Sequence, residues 1–92
     1  MNFGEALELM KHEKKVTRQG WNGTGMWLIL VGGSVGVRPV AGTPYTKAGI
    51  TSQVNIESHI DMFTKDGNMQ PGWSPSQADM LAEDWEEVHE QI

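Results

Sequence analysis

Arg18-Gln19-Gly20-Trp21-Asn22-Gly23 sets a guanidinium, an indole and a carboxamide within six residues. Together these groups can stack on a flat heterocycle, hydrogen-bond its edge and neutralise a phosphate. A second cluster, Met69-Gln70-Pro71-Gly72-Trp73-Ser74, puts another indole just ahead of an expected helix N-terminus, whose free N–H groups suit an anion. Indoles in turns are poorly explained by the core of a monomer and well explained by a ligand pocket or a subunit interface. The competing reading is that Trp21 and Trp73 simply plug the ends of a sheet.

Catalytic chemistry has thinner support. His12, His59 and His89 are far apart, and only His59-Ile60-Asp61 offers an imidazole and a carboxylate on one side of a strand. That pair could be a base with its orienting acid, or two ligands of a metal; it is equally the polar face of an amphipathic strand. No third ligand motif accompanies it. The chain contains no Gly-x-Ser-x-Gly elbow, no Gly-x-Gly-x-x-Gly or Walker pattern and no cysteine. An enzyme is the weaker reading, and no catalytic residue, metal ligand or cofactor is expected.

Ninety-two residues and 10.2 kDa allow one small domain, residues 1–92. A chain of this length buries only about 60–65% of its unfolded surface, so self-association is expected to supply what a single core lacks. Seven Lys plus Arg against twelve Asp plus Glu leave a net charge of −5, wrong for gripping long nucleic acid through phosphates. The longest apolar run, Met26 to Val31, is strand-length and too short for a membrane, and the first residues lack a secretory pattern. An intracellular protein is expected. Four Trp and six Met are more large, adaptable surface than a small core usually uses.

The elements that must hold these groups are uneven in clarity. Asn2 and Glu5 form an Asn-x-x-Glu capping box, and Phe3, Ala6, Leu7 and Met10 fall on one face, so a helix runs from Phe3 to about Lys11. Val16 and Thr17 can open a short strand. Met26 to Val31 reads as a central strand covered on both faces. The stretch from Gly32 to Ser52, with its glycines and prolines, reads as a long functional or partner-ordered loop in which Val35-Gly36-Val37-Arg38 pairs briefly.

Val54 to Thr64 alternates in part, with Val54, Ile56, Ile60 and Met62 on one face and Glu57, His59 and Asp61 on the other. Lys65-Asp66-Gly67-Asn68 is a hairpin turn. Ser74-Pro75-Ser76-Gln77 predicts a helix capped by Ser74, starting at Pro75 and ending near Glu83. Trp85 to Val88 predicts a last, edge strand. Trp27 and Trp85, inside strands, read as core. The fold expected is α+β: an antiparallel sheet with an N-terminal helix and a short C-terminal one.

Laid out in order, the blocks Asn2-Phe3-Gly4-Glu5-Ala6-Leu7, Lys15-Val16, Arg18, Gly20-Trp21-Asn22-Gly23, Gly25-Met26-Trp27-Leu28, Arg38-Pro39, His59-Ile60-Asp61-Met62, Asp66-Gly67 and Trp73 through Trp85 resemble a small phage-encoded domain family. That family includes the second type of Thoeris anti-defence protein. The segment Gly42 to Asn55 adds nothing to the likeness.

The resemblance implies a non-enzymatic sponge in the cytoplasm of an infected bacterial host. Such a sponge binds glyco-cyclic ADP-ribose, the signal made by a TIR enzyme, and keeps it from an NADase effector. It further implies a homotetramer with the signal enclosed between subunits, and in some members separate sites for cyclic oligonucleotides. Phe3 and Trp21 match aromatics lining the family's nucleotide pocket. Trp73, Asn22, Asp61, Gln77 and Asp79 are further candidates, with Asp61 or Asp79 accepting ribose hydroxyl protons. Arg18 and backbone N–H groups between Gly20 and Gly25 are the expected pyrophosphate partners. The alternative is a structural or protein-interaction component of the phage with no small-molecule ligand.

Overall fold

A computed structural model describes residues 1–89. Helix α1 (Phe3–Lys11) starts where Asn2 accepts from the Glu5 amide at 2.8 Å, while the Glu5 side chain accepts from the Asn2 amide at 3.0 Å. These reciprocal bonds satisfy two amides that a helix start would otherwise leave open. Strands β1 (Lys15–Arg18), β2 (Trp27–Val31), β5 (His59–Phe63), β6 (Met69–Pro71) and β7 (Trp85–Val88) form one antiparallel sheet in the order β6-β5-β2-β1-β7. Strands β3 (Ser34–Val37) and β4 (Val54–Ile56) pair separately, with the short helix α2 (Pro44–Lys47) between them. Helix α3 (Gln77–Leu81) precedes β7. The architecture is the expected α+β.

Register decides which face carries the core. Val16 lies opposite Leu28, which lies opposite Met62, so these side chains share one face of the sheet. Helix α1 packs there, and Ala6, Met10, Val16, Leu28 and Trp85 are fully buried together. Leu7, Ile60, Met62 and Ala82 pack against this cluster. On the opposite face Trp27, Ile29 and Phe63 stay partly exposed, with the Trp27 and Phe63 rings stacked at 4.8 Å and 8° and the Lys15 ammonium 5.0 Å from the Trp27 centroid.

Several expectations change. Strand β2 is central in the sheet but covered on one side only; a nine-residue helix shields Leu28 and leaves Leu30 36% exposed. Trp27, taken for core, belongs to that open face. The Val54–Thr64 stretch does not form one amphipathic strand: it breaks at Glu57 and Ser58, and Val54 and Ile56 join β3 while Ile60 and Met62 meet the main core. Asp61, on the strand face opposite Ile60 and Met62, is buried.

Helix α3 begins two residues later than read. Ser76, not Ser74, caps it, because Asp79 three residues on completes a reciprocal box with Ser76. It also ends earlier, at Leu81, where Ala82 turns extended. The segment from Gly32 to Ser52 pairs briefly through β3, as expected at Val35–Val37, and adds the unexpected helix α2. Its tip residues Val35, Val40 and Tyr45 stand exposed. The Cα radius of gyration, 15.9 Å, exceeds the about 12 Å of a compact chain this long, as a projecting arm requires.

Candidate functional site

One end of the sheet gathers four aromatic rings. Trp85, the buried hub, donates its indole N–H to the Asp79 carbonyl at 2.9 Å. Around it stand Phe3 at 5.3 Å, Trp21 at 5.4 Å and Trp73 at 6.3 Å between centroids. Trp21 meets Trp85 at 77° and Trp73 at 74°, edge-on contacts that fix the plane of its ring. Phe3 lies 6.4 Å from Trp73.

Each ring has its own support. The capped first turn of α1 carries Phe3. Trp21 ends a single 3-10 turn, Gln19–Trp21, closed by the left-handed Asn22, whose amide donates to the Gln19 carbonyl at 2.9 Å. Trp73 donates its amide to the Ile60 carbonyl at 2.7 Å, and Gly72 before it holds a positive φ of 81°. Asp61 braces that bend, accepting from the Gly72 amide at 3.2 Å and meeting His59 Nδ1 at 2.6 Å.

Trp21 also walls a cleft of about 260 Å³, with Thr17, Gly23, Thr24, Gly25, Met26, Trp27, Glu86 and Val88. The residue thus both packs on the core aromatics and borders the cleft. Both turn tryptophans are partly buried, so the sheet-end packing and the pocket wall coexist at Trp21.

The polar frame beneath the cluster is ionic. Arg18 donates from Nε to Asp84 Oδ1 and from Nη1 to Asp79 Oδ1, each at 2.8 Å. Asp84 Oδ2 accepts the Gly20 amide at 2.7 Å. Hydrogen bonds from Arg18 and Gly20 hold the Asp84 carboxyl below its ordinary range. Burial pushes Asp79 upward, but the Ser76 amide and hydroxyl and the Arg18 guanidinium outweigh it and leave Asp79 lowered. Hydrogen bonds to Asp84 and then Asp79 raise Arg18 further.

Of the residues singled out in the sequence, Phe3, Trp21 and Trp73 converge, Asn22 shapes the turn that carries Trp21, and Asp61 supports the Trp73 bend. Arg18 and Asp79 lie together, engaged with each other. Gln77 stands exposed at the first position of α3. Sequence reasoning missed Asp84 and gave Trp85 only a core role. A signal for Asp84 existed in Arg18 itself, a guanidinium on the inward side of β1 that needs a countercharge. Among the described residues no group of His, Asp and Glu is arranged to hold a metal ion.

Residues 1–88 match the family model of the Thoeris anti-defense 2-like domain. The chain belongs to that family. It is 36% identical over 90 residues to the protein "Thoeris anti-defense 2" of Bacillus phage SP01, an alignment covering 96% of this chain and 94% of that protein. Membership supports a phage anti-defence role, in a family named for anti-defence and not for a reaction. In this family member no helix among the described residues is long and apolar enough to cross a membrane.

Proposed function

We propose that this anti-defence protein is a sponge that binds glyco-cyclic ADP-ribose in the cytoplasm of the infected host and withholds it without cleaving it. The observation that carries the reading is Trp21: an indole whose plane is set by edge-on contacts to Trp73 and Trp85 while it borders an open cleft. A preset ring loses little freedom when a base stacks on it, and such stacking contributes about 1–3 kcal/mol per base. Thr17 and Glu86 offer polar atoms on the cleft wall, and the amides of Gly23 and Gly25, in left-handed glycines with φ of 65° and 79°, are the candidate phosphate donors.

The cleft favours a shared pocket. At about 260 Å³ it falls below the about 300–1,000 Å³ of sites enclosing drug-sized ligands, so a cyclic dinucleotide-sized signal needs walls from a second copy. The arm from β3 to β4 suits that assembly. It exposes Val35, Val40 and Tyr45 and carries Arg38 and Lys47 with no acidic residue, while the remainder of the chain holds the acidic excess. A homotetramer formed through such contacts completes the reading.

Calorimetric titration with glyco-cyclic ADP-ribose, followed by heating and chromatography of the released ligand, tests it. Saturable binding with the ligand recovered intact is the expected result. New products, or no heat of binding at ligand concentrations up to millimolar, would overturn it.

A further inference from the structure

Arg18 has the charge a pyrophosphate needs, yet its surroundings assign it elsewhere. The residue sits on the inward side of β1, opposite Trp85, with a side chain only 17% exposed. Two carboxylates, Asp79 and Asp84, already bind its guanidinium, so the three groups together carry one negative charge. A phosphate approaching this triad meets net repulsion.

The same bonds tie together the pieces that hold Trp21. Asp84 grips the Gly20 amide at 2.7 Å, and the Asp84 carbonyl accepts the Gln19 amide at 3.1 Å, so this one residue holds two successive amides of the turn ending in Trp21, beside the Gln19–Glu86 side-chain bond at 3.3 Å. Asp79 belongs to α3, whose Asp79 carbonyl fixes the Trp85 indole. Gly20 permits the arrangement: a Cβ there would stand 2.8 Å from Asp84 Oδ2 and 3.1 Å from Arg18 Nη2.

We propose that Arg18 is a positioning residue, which joins the Trp21 turn to α3 through Asp84 and Asp79 and makes no contact with the ligand's phosphates. This rests on the nucleotide-binding reading and refines it, moving recognition of the pyrophosphate to backbone donors.

Asp84→Asn separates the two roles by sign. If Arg18 touched phosphate, removing a competing carboxylate would free it and tighten binding. If Arg18 positions Trp21, the weakened clamp loosens binding, by about tenfold, or about 1.4 kcal/mol. Arg18→Lys and Gly20→Ala, the latter with no change of charge, are expected to weaken binding in the same direction.

The ligand-free readout is the Trp21 indole N–H resonance, assigned by its loss in Trp21→Phe and recorded where circular dichroism shows each variant folded. It is expected to shift in all three variants while the Trp27 resonance, on the other face of the sheet, holds its place. Tighter or unchanged binding of glyco-cyclic ADP-ribose by Asp84→Asn, or an unmoved Trp21 resonance in Arg18→Lys, overturns the proposal. A wild-type protein that binds no glyco-cyclic ADP-ribose removes the proposed function instead, and the resonances alone then decide the clamp.

Discussion

The aromatic corner and the β3–α2–β4 arm are built on opposite principles. At the corner, Trp21 is fixed by ring contacts, a closed turn and an ionic clamp that reaches across three elements. The arm has two three- to four-residue strands with an irregular register, a four-residue helix and apolar side chains facing outward. The corner is set before anything binds. The arm leaves Val35, Val40 and Tyr45 exposed. On the proposed function the two regions divide the labour: the corner would receive the ligand and the arm would meet copies of the chain.

The contrast can be broken most forcefully at the core beneath the corner. Leu28→Ala, at a fully buried position, is expected to cost about 2–5 kcal/mol in chemical denaturation, because the cavity adds to the lost transfer energy. Trp21→Ala is expected to leave a folded protein whose affinity for glyco-cyclic ADP-ribose falls by about 1–3 kcal/mol in calorimetry. On the arm, Val35→Ala should move stability by no more than about 0.5 kcal/mol, the range of exposed sites. Val35→Asp combined with Tyr45→Asp should lower the mass measured by light scattering while the melting temperature of the protomer fold survives. An unchanged mass would mean that the arm does not join subunits.

Acid titration sharpens the same comparison. Asp79 and Asp84 have folded pKa values below their ordinary ones, so the unfolded chain takes up protons first as pH falls. Their stabilisation is therefore present above about pH 4 and is lost as the pH drops through the depressed folded values. The melting temperature should decline through that window, and Asp84→Asn should flatten the decline.

Legibility in the sequence followed the range of the interactions. The bounds of α1 are readable because Asn2 and Glu5 cap it within one turn, and β7 is readable from its own alternation. The start of α3 is ambiguous locally: Ser74-Pro75 is as good a signal as Ser76, and only the Asp79 carboxylate breaks the tie. The split between β4 and β5 depends on which strand each finds as a partner, which alternation over Val54–Thr64 does not encode. At the site, the sequence marked Trp21 and Trp73 as indoles of two separate turns, and the fold brings the two rings to 6.4 Å in one cluster. The partners of Arg18 lie 61 and 66 residues away, so its inward position signals a need for countercharge while no local pattern names Asp79 and Asp84 as the partners.

A crystal structure of the protein with glyco-cyclic ADP-ribose tests the central claim most directly. The account predicts the adenine stacked on Trp21 in the cleft bounded by Thr17, Gly23–Gly25 and Trp27, closed by a second copy, with the Trp21 ring still edge-on to Trp85. A ligand lodged elsewhere, with that cleft empty or Trp21 turned away from the base, would contradict it.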